Sequence, residues 1–179
     1  MNNNNFHKDN LVNIFCHLSD KDKIRFLSTC KILHRLKKIF NYGELVDLEN
    51  ILHLSYRKAF INICINEFLE FFDHNIRIKI DKNYLSGVKK ITFGSRFNRS
   101  IKGCIPESVT HLTLGFLFDQ EITDSIPNSV THLSFGEYFQ RNIDNCIPTS
   151  VKFLKIHKRY KKNISSNKNM LGIKITYID

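Results

Sequence analysis

The sequence predicts an α+β chain in which a small three-helix unit at the N-terminus precedes a short β-rich solenoid. Two observations carry this. The segment I-P-E-S-V-T-H-L-T-L-G-F-L-F from Ile105 is restated 21 residues later, from Ile126, as I-P-N-S-V-T-H-L-S-F-G-E-Y-F, and a third I-P opens at Ile147. Before residue 41 the apolar residues recur at helical spacing instead. A fixed period in the low twenties marks a solenoid, whose coils are stable only when stacked on neighbours.

Within each coil the V-x-x-L-x-L core predicts a half-buried strand, because its last two apolar residues sit two apart. The inner columns are Val88, Val109, Val130 and Val151; Ile91, Leu112, Leu133 and Leu154; and Phe93, Leu114, Phe135 and Ile156. Two outer columns follow, Phe97, Phe118, Phe139 and Tyr160, then Ile101, Ile122, Ile143 and Ile164. Gly94, Gly115 and Gly136 end the strands, a role expected to use the tight or left-handed backbone that glycine tolerates; His157 breaks that column. The I-P pair then turns the chain back, since proline fixes its own φ and keeps the preceding residue extended. Full coils are expected at about 84–104, 105–125 and 126–146, a degenerate one at 147–167, and a terminal strand at 171–178, where Ile175 and Tyr177 fall on the inner columns. Ser165 to Asn169 is expected to be a loop.

This pattern is similar to leucine-rich repeats, L-x-x-L-x-L, with a shorter return. It resembles more closely the FNIP repeat, named for its F-N and I-P pairs, which Phe97-Asn98 and Ile105-Pro106 reproduce whole. Later coils keep the phenylalanine and place Asp119 and Gln140 where the asparagine stood.

At the N-terminus, residues 1–5 are expected to be a disordered leader, and residues 6–42 a helical unit. Leu11, Ile14, Phe15 and Leu18 make one apolar stripe. Ser19 and Asp22 are spaced to cap a second helix, along which Ile24, Leu27 and Cys30 follow, and Leu33, Leu36 and Phe40 continue the period. Such a trio could simply close the end of the solenoid. The order of residue types, however, resembles the F-box: Asp9, Leu11, Ile14, Phe15 and Leu18 match its first helix, and Asp22, Ile24, Arg25, Phe26, Cys30 and Lys31 its second. Phe6-His7, Ser19, Lys23 and Leu33 depart from it. An F-box followed by FNIP repeats is similar to a family of amoebae and their giant viruses.

The resemblance implies an adaptor that catalyses nothing itself. The F-box would dock on a Skp-type linker of a cullin-RING ubiquitin ligase through Leu11, Ile14, Phe15, Leu18, Ile24 and Phe26, some of which would serve the small domain's own core. The repeats would hold a protein target. A plain repeat scaffold without a ligase link, or a basic nucleic-acid binder, are the alternatives.

Residues 43–75 read as one or two helices capping the first coil, the second rich in aromatics around Phe60, Ile63, Ile65 and Phe68. Ile76, Ile78 and Ile80 alternate with Arg77 and Lys79 and predict a strand opening a repeat region over 76–179. On the repeats, side chains alternating with the inner columns must point outward, giving the rows Lys90, His111, His132, Phe153 and Thr92, Thr113, Ser134, Lys155. Solenoids bind partners on such faces.

A formal charge of +10, from 27 Lys and Arg against 17 Asp and Glu, favours acidic partners. No glycine-rich phosphate loop, zinc-finger spacing or aromatic–basic RNA motif accompanies it. His111 and His132 lack a third ligand for a metal, and no catalytic triad or paired-carboxylate spacing appears; neither catalytic residues nor a cofactor are expected. Cys16, Cys30, Cys64, Cys104 and Cys146 stand far apart, which with no export signal points to a reducing, cytoplasmic setting. No run of 18 apolar residues predicts a membrane span.

Overall fold

Seven parallel strands stack in chain order into one ladder. The computed structural model describes residues 15, 17–29, 31–38, 40–51, 54–65, 85–162, 164 and 172–179. The strands are β1 (Val46–Asp47), β2 (Asn62–Ile65), β3 (Lys90–Phe93), β4 (His111–Thr113), β5 (His132–Ser134), β6 (Phe153–His157) and β7 (Lys174–Ile178). Ile91, Leu112, Leu133, Leu154 and Ile175 pair in succession, which is the 21-residue register of the sequence. Among the described residues the architecture is a leucine-rich-like β-solenoid with few helices.

Each coil buries six apolar side chains. In the coil of β4 these are Val109, Leu112, Leu114, Phe118, Ile122 and Ile126, and their counterparts before and after are buried too. At about 1.5–3 kcal/mol per fully buried side chain, these columns are the main source of stability. Phe97, Phe118, Phe139 and Tyr160 form a continuous stack, with centroids 6.4, 6.2 and 6.1 Å apart. Burial and nearby Asp144 push the Tyr160 phenol up to about 12, while its hydroxyl donates to Arg141 O at 3.0 Å.

The residue after that phenylalanine stitches coil to coil. Asn98 Oδ1 accepts the Asp119 amide at 2.9 Å, Asp119 Oδ1 accepts the Gln140 amide at 2.9 Å, and Gln140 Oε1 accepts the Lys161 amide at 3.2 Å. Here the chain has no strand neighbour, so side-chain carbonyls satisfy amides that would otherwise lack a partner. That explains why a short acceptor can be Asn, Asp or Gln.

The glycine column works differently from expectation. Gly94, Gly115 and Gly136 have no positive φ. Gly115 and Gly136 are required by close approach: a Cβ on Gly115 would lie 2.0 Å from Gly94 O, and one on Gly136 2.1 Å from Gly115 O. Where His157 replaces glycine, the strand runs on through that residue. The left-handed backbone lies instead at Gly103, Asp124 and Asn145, with φ of 74°, 54° and 57°, one per coil at the same repeat position. Asp and Asn are the residues besides glycine that most readily adopt it.

The segment expected to form one or two helices is corrected. It contains a short helix, α3 (Leu48–Ile51), and a 3-10 turn (Arg57–Ala59), but Asn62–Ile65 is a strand. Ile63 and Ile65 continue the columns of Ile91 and Phe93, alternate with Asn62 and Cys64, and pair in full with β3. A neighbouring strand that satisfies the backbone outweighs the helical spacing of the apolar residues. The step from Ile63 to Ile91 is 28 residues, longer than a regular coil. Tyr42, Leu48, Ile51, Tyr56 and Phe60 close this end of the core. The strand expected at Ile76–Ile80, the aromatic run from Phe68, the leader at 1–5 and the loop at Ser165–Asn169 lie outside the described residues.

Upstream, α1 (Asp20–Leu27) and α2 (Lys31–Leu36) are described, whereas of the first expected helix only residues 15, 17 and 18 are. Ser19 caps α1: its Oγ accepts the Asp22 amide at 3.1 Å and donates to Asp22 Oδ2 at 2.7 Å. Phe15, Leu27 and Leu33 form a small core of their own, flanked by Leu18, Phe26, Leu36 and Phe40. Asp20 ties this unit to the solenoid, its Oδ2 accepting the Glu44 amide at 2.7 Å while Glu44 Oε1 accepts the Asp20 amide at 2.9 Å.

Candidate functional site: the outward strand face

Parallel pairing aligns all eight residues of the two outward rows. Lys90, His111, His132 and Phe153 are successive partners, and so are Thr92, Thr113, Ser134 and Lys155. The inner residues between them are buried, so these side chains share the opposite face. Strands β2 to β7 contain no carboxylate, while Lys90, Lys155 and Lys174 are exposed cations on this face. Asp47, on β1, is the first acidic residue met along the ladder; it and burial push the Cys64 thiol up, burial more strongly.

The first row is a ring stack. His111 and His132 lie with centroids 4.1 Å apart and planes 9° from parallel; His132 and Phe153 follow at 4.5 Å and 21°. Each histidine is held by the threonine before it. Thr110 Oγ1 donates to Lys89 O and Thr131 Oγ1 to Thr110 O, both at 3.2 Å, and each hydroxyl lies 2.9 Å from the next residue's Nδ1. A hydroxyl has one hydrogen. That hydrogen points to the carbonyl or to the ring, and in either arrangement the hydroxyl holds the imidazole in place. Nε2 of each ring has no hydrogen-bond partner among the described residues.

A metal is poorly served by this pair. Parallel stacked rings present their edges side by side, whereas a tetrahedral ion needs converging ligands. Among the described residues no group of three His, Cys, Asp or Glu could hold a metal ion.

Burial, then the neighbouring His132 and Lys90, hold the His111 imidazole below its ordinary value. The folded chain therefore resists a proton that the unfolded chain accepts near pH 6.5. Stability contributed this way is complete above that pH and is lost as pH falls through the lower folded value. Thermal melts should show a falling Tm on acidification, and His111→Phe should make the fall shallower; equal slopes would contradict the assignment.

Beside the rows lies an apolar rim that periodicity did not mark. Phe116, Leu117 and Tyr138 are 46%, 40% and 50% exposed, with the Phe116 and Tyr138 rings 5.0 Å apart. They follow the glycine turns and stand off every core column, which is the signal by which a sequence reading could have found them. Contiguous exposed apolar surface is characteristic of interaction sites.

Of the residues expected to meet a linker, Leu11 and Ile14 lie outside the described residues. Phe15, 3% exposed, is the centre of the helical core. Leu18 and Phe26 are half-buried beside it, and Ile24 packs on the solenoid core.

Fold and face define a repeat scaffold of the protein-interaction type. More particularly, FNIP Repeat models match residues 79–117, 97–138 and 118–159, so this stretch carries FNIP repeats. It is similar to "Putative F-box protein R637" of Acanthamoeba polyphaga mimivirus, at 42% identity over 53 residues, covering 30% of this chain and 34% of that protein. It is also similar to the crystal structure of CroV588, described as a circular LRR protein, at 34% identity and a TM-score of 0.49, covering 55% of this chain and 15% of the other. The chain thus spans about a third of the curated relative it matches. No helix among the described residues is long and apolar enough to cross a membrane.

Proposed function

We propose that the protein is the target-recognition adaptor of a cullin-RING ubiquitin ligase, its N-terminal helices docking on a Skp-type linker and its strand face holding a protein target. The observation that carries this reading is the separate helical core of Phe15, Leu27 and Leu33, set ahead of a repeat scaffold. The name of the mimivirus relative supports it. Half-buried Leu18 and Phe26 are the described residues best placed to meet a linker, because a helix-in-groove interface needs apolar side chains that the domain's own core does not enclose. Asp20 and Glu44 join the helices to the first coils by reciprocal hydrogen bonds, so a target on the repeats would be held at a fixed orientation to the ligase. The cytoplasm is the compartment this role requires.

Titrating the purified chain with a Skp-type linker tests the proposal. The chain should bind, and Leu18→Asp should weaken binding by at least about 100-fold, a loss of roughly 3 kcal/mol typical of an interface anchor, while the repeats melt as before. Undiminished binding by a folded Leu18→Asp chain would refute the docking assignment.

A further inference from the structure

We propose that the His111–His132 stack makes the strand face an acid-strengthened reader of acidic peptide segments. This deepens the target-binding role assigned above and rests on it. Thr110 and Thr131 hold the two rings through their Nδ1 atoms, and among the described residues neither Nε2 has a hydrogen-bond partner. A neutral imidazole has a single N–H and no charge, whereas the imidazolium has an N–H on both nitrogens. Protonation converts the two rings into adjacent cationic N–H donors, the kind that bind carboxylates in short, charge-assisted hydrogen bonds.

The surroundings decide the sign of the effect. His111 faces Lys90 on β3 and His132 on β5; His132 faces His111 on β4 and uncharged Phe153 on β6, with Lys155 one row over. The neighbouring second-row residues, Thr92, Thr113 and Ser134, are uncharged hydroxyls. With no carboxylate on β3, β4, β5 or β6, the imidazolium charges have no internal partner and are repelled by Lys90. A bound anion supplies what is missing, so ligand and proton bind cooperatively, each favouring the other.

The same geometry selects peptide over nucleic acid. Single-stranded nucleic acids bind by stacking bases on exposed ring faces. Here both faces of His132 are covered, by His111 and by Phe153, so the row presents ring edges. Edges bearing N–H donors, flanked by lysines and by the apolar Phe116–Tyr138 rim, suit an extended segment that alternates acidic and apolar side chains.

The test is fluorescence anisotropy of the full chain with a labelled peptide of alternating glutamate and leucine, at about pH 7.5 and about pH 5.5, where glutamate with its pKa of roughly 4.3 stays ionised. Binding should tighten about tenfold at the lower pH, as expected for net uptake of about one proton over part of this range. The pair His111→Phe with His132→Phe, which keeps the ring column, should bind equally at both pH values. If that chain fails to melt cooperatively, His111→Gln with His132→Gln serves instead. Equal wild-type affinity at both pH values, or the same tightening in the variants, overturns the inference while leaving the strand face as a binding site. No binding at either pH also overturns it, and intact linker binding then separates that failure from failure of the adaptor reading. Tighter binding of a labelled oligothymidylate than of the peptide would reassign the face to nucleic acid.

Discussion

Gly136→Ala is expected to disrupt the repeat stack, lowering stability by at least ~3 kcal/mol, the upper part of the range for overpacking. The added Cβ would lie 2.1 Å from Gly115 O, 2.6 Å from Gly115 C and 2.8 Å from Phe116 Cα. All three are backbone atoms of the previous coil, so no side-chain rotation relieves the clash; the coils must separate, which opens the strand ladder beside them. Gly115→Ala should behave alike, for its Cβ would meet Gly94 O at 2.0 Å. Gly43→Ala is the control, having nothing within 4 Å and no positive φ. Calorimetric melts of the three variants give the answer: a Gly136→Ala chain melting with the control would show that the coils do not approach as described.

Phe118→Ala should cost about 3–5 kcal/mol, the usual penalty for emptying a buried aromatic site. Phe118 is fully buried and lies between Phe97 and Phe139 in the stack. Neither neighbour can fill the gap, because each is held at the spacing of its own coil. In a solenoid, loss at one coil also removes the interface that its neighbours need, so the melt should broaden as well as shift. Chemical denaturation followed by circular dichroism measures both; a sharp transition within about 1 kcal/mol of wild type would refute the stack's role.

The repeats were legible because stacking forces each column to one residue type, and the columns from Val88 to Ile164 can be found from period alone. The outward rows were legible for the same reason: period-two alternation places His111 beside His132 without coordinates. What the sequence concealed was anything aperiodic or dependent on a partner strand. Ile63 and Ile65 lie 28 residues ahead of their register partners, off the 21-residue grid, and only pairing with β3 distinguishes them from a helical stripe. The reason for Gly115 was likewise hidden, since the sequence shows that a glycine recurs but not whether dihedral freedom or interatomic space demands it. The Asn98–Asp119–Gln140 ladder and the left-handed column through Asp124 and Asn145 were present as columns but chemically mixed. The contacts of Thr110 and Thr131 with the His111 and His132 rings needed coordinates, because they depend on side-chain rotamers.

The adaptor reading divides the molecule into a ligase-facing end and a target-facing side, and hydrogen–deuterium exchange of the full chain with and without a Skp-type linker tests that division most directly. The account predicts slowed exchange within residues 15–36, around Leu18 and Phe26, and unchanged exchange along β4 and β5. Slowing along the strand face, or no change anywhere in a chain that is folded, would contradict it.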